Sequence, residues 1–176
     1  MLEKFVMQKK YIVIKMKTLK ENFFGNLGIG KKAQIEEWLK KYDIRNYTIN
    51  SDFTIDINGN VNLAYAEFTD GKLPDYIQFN YVKKSFNICD TNIISLKGCP
   101  KECEEFHCFN CCSLTSLEFS PKKCNDFDCG HTSITSLEGA PEKCKNFSCN
   151  ICNNLTSLEG APTVVENHFT CVNCQN

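Results

Sequence analysis

The sequence contains no apolar run approaching the ~20 residues of a bilayer-spanning helix, so no such helix is expected. Its apolar stretch at 11–14 sits between Lys10 and Lys15 and is too short for the core of a secretory signal. Net charge is almost absent, −1 over 176 residues, which argues against nucleic-acid binding by the chain as a whole. Also missing are a Gly-rich phosphate loop, HExxH, GxSxG and a paired-carboxylate motif. No motif positions a nucleophile. A non-enzymatic protein without a cofactor is therefore expected.

What is present is enough for a folded core. The chain is 42% hydrophobic with 13 Phe, and its length suits one domain. The small net charge hides an asymmetry: residues 1–50 carry 11 Lys/Arg against 5 Asp/Glu, and residues 51–176 carry 9 against 16. The halves are thus +6 and −7. All 13 cysteines lie between Cys89 and Cys174. They are either a disulfide or metal framework, or thiols used as small buried groups.

Spacing decides more than number. Pro74, Pro100, Pro121, Pro141 and Pro162 are separated by 26, 21, 20 and 21 residues. Phe86, Phe106, Phe127, Phe147 and Phe169 are separated by 20, 21, 20 and 22. Three segments read almost alike: SLTSLEFSP at 113–121, SITSLEGAP at 133–141 and NLTSLEGAP at 154–162, with a weaker copy at 94–100. A fixed period of this length means a solenoid, because one unit cannot bury its apolar face alone.

Within a unit the pattern is Cys103-x-x-Phe106-x-Cys108-x-x-Cys111-x-x-Leu114-x-x-Leu117, repeated from Cys124 and from Cys144 through Leu155 and Leu158. The Phe-x-Cys alternation has the period of two of a half-buried strand. These residues match the leucine-rich-repeat template with Phe and Cys in place of Leu. Residues 53–176 resemble short leucine-rich-repeat proteins of bacteria and phages, with 20–22-residue units and an N-terminal helical cap. The resemblance implies a β-rich, right-handed solenoid of short parallel strands with an extended convex side. It departs in placing Cys where such repeats carry Leu, Val or Asn. Strands are expected near 61–63, 86–88, 106–108, 127–129, 147–149 and 169–171, with the Phe residues as one internal column.

The repeat sorts the cysteines into three columns: Cys103, Cys124, Cys144; then Cys108, Cys129, Cys149, Cys171; then Cys111, Cys152, Cys174, with Thr132 replacing Cys. The Cys-x-x-Cys pairs look like zinc half-sites. On a repeat strand both positions belong to the core, so the expectation is reduced, buried, metal-free thiols. Cys89, Cys99 and Cys112 fall off the inward positions and are expected to react most readily. Without a secretory signal, a reducing, cytoplasmic compartment is expected.

Residues 1–52 form an N-terminal extension and cap, and 53–176 the solenoid. In KKAQIEEWLKKY at 31–42, Ile35, Trp38, Leu39 and Tyr42 fall at i, i+3, i+4, i+7, one apolar helical face. Trp38 is expected to cap the repeat core. Met16 is a plausible natural start, and residues 11–15 are an upstream extension or a short strand. Asn58-Gly59 between alternating apolar residues predicts a two-residue hairpin, with 53–57 antiparallel outside a first rung at 61–63.

Outward strand positions are the usual binding surface of a solenoid. They form rows: Asn87, His107, Asp128, Ser148, Thr170; then Glu105, Asp126, Asn146, His168; then Asn110, His131, Ile151. The expected partner-binding set is Glu105, His107, Asn110, Asp126, Asp128, His131, Asn146 and Ser148, facing a basic protein partner. His107 and Asp128 are expected side by side, with His131 nearby. The alternatives are a small-ligand sequestering protein and a thiol- or metal-responsive module. Self-association through the edge strand at 169–171, with Phe169 and Cys171, is a further possibility.

Overall fold

The computed structural model describes residues 29–174. The readings for residues 1–28, including the strand at 11–15, lie outside the described residues. The described residues divide into two units at the boundary between Trp38 and Leu39. Helix α1 spans Ile29–Lys41. Ile35 and Leu39 are fully buried and Trp38 nearly so, which leaves its apolar face away from solvent. Lys40 and Lys41 in the last turn complement the negative end of the helix dipole. The helix closes where Asp43 turns left-handed (φ 51°): Asp43 N–H donates to the Lys40 carbonyl and Ile44 N–H to the Leu39 carbonyl. Buried Ile44 completes this closing turn.

The second unit is a β-solenoid. Its strands are β1 (Tyr47–Ile49), β2 (Ile55–Ile57), β3 (Val61–Asn62), β4 (Phe79–Asn87), β5 (Glu102–His107), β6 (Asp126–Asp128), β7 (Lys143–Ser148) and β8 (Val164–Thr170). From β2 onward every pairing is parallel. β4 to β8 begin earlier than the sequence suggests, and β3 to β8 each end one residue sooner.

Asn58-Gly59 does not make a hairpin. β2 and β3 both lie parallel to β4, so together they form one interrupted rung. A two-residue hairpin of that type needs positive φ at both central residues; neither Asn58 nor Gly59 has it. Residues 57 to 61 instead keep pace with 82 to 86, and the link is satisfied in place. Lys84 N–H donates to the Gly59 carbonyl (3.2 Å) and Ser85 N–H to Asn60 Oδ1 (3.2 Å). The antiparallel neighbour of β2 is β1, pairing Tyr47 with Ile57 and Ile49 with Ile55.

The phenylalanine column forms as expected. Adjacent ring centroids from Phe86 to Phe169 are 5.8, 5.3, 5.3 and 5.4 Å apart, all stacked. Phe86 through Phe147 are at most 2% exposed, whereas Phe169 is 40% exposed in the last described rung. Leu158, a core position in the template, is 53% exposed for the same reason: its equivalents Leu117 and Leu137 are covered by the next return, and no described segment covers it. The one 22-residue step has a visible origin. Between Cys144 and Asn146 of β7 there is one residue, and between their partners Val165 and His168 of β8 there are two. A bulge inside the strand absorbs the extra residue and leaves Phe169 aligned with Phe147.

Each rung turns through left-handed residues at recurring places. Tyr65, Asp90, Asn110, His131, Ile151 and Asn173 all have φ of 54–61°. Gly98, Gly139 and Gly160 mark the return, with Phe119 (φ 68°) in the same place. At Gly139 a Cβ would lie 2.5 Å from the Leu117 carbonyl oxygen, so glycine is required by close rung contact.

Two measurements follow. Phe127→Ala is expected to lose about 3–5 kcal/mol in chemical denaturation, as truncation of a buried aromatic does; a loss under ~1 kcal/mol would place the ring outside the core. Ile151 is β-branched, left-handed and 38% exposed. Ile151→Asn is therefore expected to stabilise by about 1 kcal/mol, read as a higher melting temperature.

Candidate functional site

The outward rows form as strand partners. Glu105 pairs with Asp126, Asp126 with Asn146, and Asn146 with His168; alongside, His107 pairs with Asp128, Asp128 with Ser148, and Ser148 with Thr170. Parallel neighbours lie about 4.8 Å apart, so each row is nearly continuous. The eight predicted residues are all partly exposed. Seven of them have side-chain hydrogen bonds, and the His131 ring packs on Phe109.

These bonds divide the surface into two parts. In the first row, Asn146 Nδ2 donates to Asp126 Oδ1, and His168 Nδ1 lies 3.1 Å from Asn146 Oδ1. Asp126, Asn146 and His168 are thereby linked across three rungs. In the second row, His107 Nε2 lies 3.4 Å from Glu105 Oε2 on its own strand, and Asp128 Oδ1 accepts from Gly130 N–H (2.9 Å). The expected His107–Asp128 pair is thus adjacent in backbone register, but each side chain is engaged elsewhere. Each finds a nearer group, two residues away on its own chain. Asn150 Nδ2 donates to the Ser148 hydroxyl (3.3 Å) and to the Thr170 hydroxyl (3.1 Å).

The third row lies on the left-handed turn, away from the first two. Asn110 Nδ2 donates to Asp90 Oδ1 (2.6 Å), and the His131 ring packs 6.0 Å from the Phe109 ring. His131 therefore contacts Phe109. Asp90 belongs to this row and was missed by the sequence pattern; the signal for it is the recurrence of Asn, Asp and His at a position demanding positive φ. A separate cluster was also missed. Asp56 accepts from Asn50 (3.0 Å) and Asn80 (2.8 Å), joining the strand before the first rung to β4.

The charge on this face is uneven. Glu105 and Asp126 are directly opposed carboxylates, and like charges so placed destabilise a sheet by a few tenths to ~1 kcal/mol. Lys123 pairs with Glu102 (3.2 Å), but both are well exposed and such a pair contributes little.

The thiols separate into nine buried and four accessible groups: Cys112 is exposed, and Cys89, Cys171 and Cys174 are intermediate. Cys99, expected to be reactive, is buried, and burial pushes its thiol far above the ordinary value. It lies in the return just before Pro100, where the rungs pack closely. Burial likewise raises Cys89 to about 11.

The third column is more than apolar filling. Cys111 Sγ donates to the Ile88 carbonyl (3.1 Å), Cys152 Sγ to the Cys129 carbonyl (3.3 Å) and Cys174 Sγ to the Cys149 carbonyl (3.0 Å). These cysteines reach a carbonyl of the preceding rung; where the column holds threonine, the hydroxyl donates within its own rung, to the carbonyl three residues back. Thr91 Oγ1 donates to the Ile88 carbonyl and Thr132 Oγ1 to the Cys129 carbonyl. The Ile88 and Cys129 carbonyls thus each accept the threonine of their own rung and the cysteine of the next, and both residue types act there as small donors.

Among the described residues, no group of three or more His, Cys, Asp or Glu is arranged to hold a metal ion. No described helix is long and apolar enough to cross a membrane. Comparison with protein-family models, curated proteins and solved structures returns no match for this chain.

Cys108 and Cys129 have no exposed surface, and burial holds both thiols well above their ordinary value of 9.0. Groups raised in the folded state contribute stability below the unfolded value, and that contribution is lost as pH rises. Each such thiol is expected to cost about 1.4 kcal/mol per pH unit above the unfolded value. Urea melts at pH 8 and pH 10 check this: stability should fall at pH 10, and fall less in a Cys108→Val, Cys129→Val chain. Equal pH slopes for the two chains would show that these thiols are not held protonated.

Proposed function

We propose that this solenoid is a non-enzymatic binding module of the short leucine-rich-repeat type, recognising a basic protein partner through the outer face of its sheet. The observation that carries this reading is the opposed pair Glu105 and Asp126, with Asp128 beside them. Carboxylates facing one another work against the fold unless a cation neutralises them. Their hydrogen bonds to Asn146 and Gly130 fix Asp126 and Asp128 before any partner arrives, which lowers the cost of binding. The −7 charge of residues 51–176 would steer a basic surface toward this face. The repeat type is supported by the Phe and Cys residues at the template's apolar positions. It is supported too by the donor column at the template's Asn/Cys position.

A second reading, self-association, has its own support. β8 is the terminal strand of the described sheet, and Val164, Phe169 and Val172 beside it are 40–58% exposed.

Affinity capture on the purified chain at low and high salt, coupled with sedimentation, separates the two. Asp126→Lys with Asp128→Lys is expected to abolish salt-sensitive capture and leave oligomeric state and melting temperature nearly unchanged. Glu105→Gln is expected to weaken capture while stabilising the fold by a few tenths of a kcal/mol. Thr170→Pro should affect only association through the β8 edge. Capture that survives the double lysine change would remove the acidic face as the binding site.

A further inference from the structure

The three Cys-x-x-Cys pairs of this chain are equivalent in sequence and differ in structure. In the first two, both thiols are fully buried: Cys108 with Cys111, and Cys149 with Cys152. Cys111 and Cys152 donate to the Ile88 and Cys129 carbonyls of the preceding rung. Cys129 and Cys149, in the second column, donate to the carbonyls of Ser148 (3.4 Å) and Thr170 (3.5 Å) in the next rung. Cys171, in the last described rung, interacts with the buried Cys149 thiol of the rung before it and with its own partner. Its Sγ lies 3.3 Å from Cys174 Sγ, and both residues are of intermediate exposure. The left-handed turn at Asn173 (φ 58°) folds the chain back between the two cysteines. A disulfide needs its sulfurs at ~2.0 Å, so side-chain rotation through little more than an ångström brings them to bonding distance.

We propose that Cys171 and Cys174 are a dithiol–disulfide pair that exchanges with a low-molecular-weight disulfide of the glutathione class. The chemistry balances in two displacements. A thiolate of the pair attacks one sulfur of the small disulfide. That S–S bond breaks, a protein–glutathione bond forms, and the first glutathione thiolate leaves with the electron pair and takes up the proton. The second protein thiolate then attacks the protein sulfur of this mixed disulfide, forming the Cys171–Cys174 bond. A second glutathione thiolate leaves and is protonated. The protein loses two electrons and two protons, and one small disulfide becomes two thiols.

The other accessible thiols lack this geometry. Cys112 is exposed, and its hydrogen bonds run to Asn110 and the His131 carbonyl rather than to another sulfur. Closure at Cys171–Cys174 has a structural consequence. The Cys174 S–H that donates to the Cys149 carbonyl is consumed, so the last rung exchanges one bond to its neighbour for a bond within itself.

The test uses the full chain carrying Cys112→Ser, reduced, then equilibrated with glutathione disulfide, acid-quenched and analysed by intact mass and peptide mapping. The expected product has lost two hydrogens and gained no glutathione, with the linkage mapped to Cys171–Cys174. Two glutathione thiols should be released per chain. Alkylation of both residues should fall about tenfold or more relative to the reduced chain. Adding Cys171→Ser or Cys174→Ser should convert the product to a stable glutathione adduct on the remaining cysteine. The proposal is overturned if the Cys112→Ser chain stays fully reduced, accumulates glutathione at either residue without closing, or links other cysteines. Mapping on the Cys112→Ser chain alone decides among these, whatever the serine variants do to folding.

Discussion

Every rung of this solenoid must satisfy its backbone from the next, in the turn as well as in the strand. After each strand the ladder continues: Ile88 N–H donates to the His107 carbonyl, Cys108 to Asp128, Cys129 to Ser148 and Cys149 to Thr170. It continues again through the left-handed turn, from Asp90 to Phe109, Asn110 to Gly130, His131 to Asn150 and Ile151 to Val172. Buried amides left unpaired are costly, so successive rungs must superpose over most of their length. The ~20-residue period follows from that requirement. So does the choice of side chains: the same space recurs at each level, and a Phe ring that fits one level fits them all.

The same constraint assigns different duties to chemically identical cysteines. The first two columns lie on or beside the strands, where Cys129 and Cys149 donate forward to the Ser148 and Thr170 carbonyls of the next rung. In the third column the chain leaves the strand, and the carbonyls of Ile88, Cys129 and Cys149 take a side-chain donor from that column. Thiol and hydroxyl are near in size and both donate, whereas valine or leucine would fill the space and leave the carbonyl with one bond fewer. The substitution of Thr132 for Cys is evidence about hydrogen bonding. In the sequence alone it reads only as evidence that the thiol is dispensable.

Much of the architecture was legible because the repeat supplies several copies of each position. Phe127 is one residue among 13 phenylalanines, but its place between Phe106 and Phe147 fixes its depth. Legibility failed where there was only one copy. Asn58-Gly59 satisfies the local rule for a hairpin, yet the parallel pairing of both flanking segments with β4 overrides it. Cys99 falls off the strand columns, and period alone could not show that the return segments pack as closely as the strands do. The site was legible at the level of which backbones are adjacent. It was not legible at the level of bonds: His107 and Asp128 are register partners, but rows predict neighbours and leave open which polar group a side chain meets first.

A stack in which each level contacts only its neighbours also limits how far a local event can travel. The acidic pair Glu105 and Asp126 sits on β5 and β6, while Cys171 and Cys174 follow β8. Between them stands β7, whose Phe147 and Cys149 are buried and whose Asn146 is bonded to both sides. A change at the last rung reaches the acidic face through the β7 rung: by way of Asn146, the Phe ladder, the Asn150 contacts to Ser148 and Thr170, or the Cys174–Cys149 bond. His168 and Thr170 belong to both regions, since they continue the outward rows and lie on the rung that would close. A partner confined to β5 and β6 would bind independently of the thiol state. A partner spanning the rows as far as His168 and Thr170 would couple binding to oxidation through the Asn146–His168 and Asn150–Thr170 contacts.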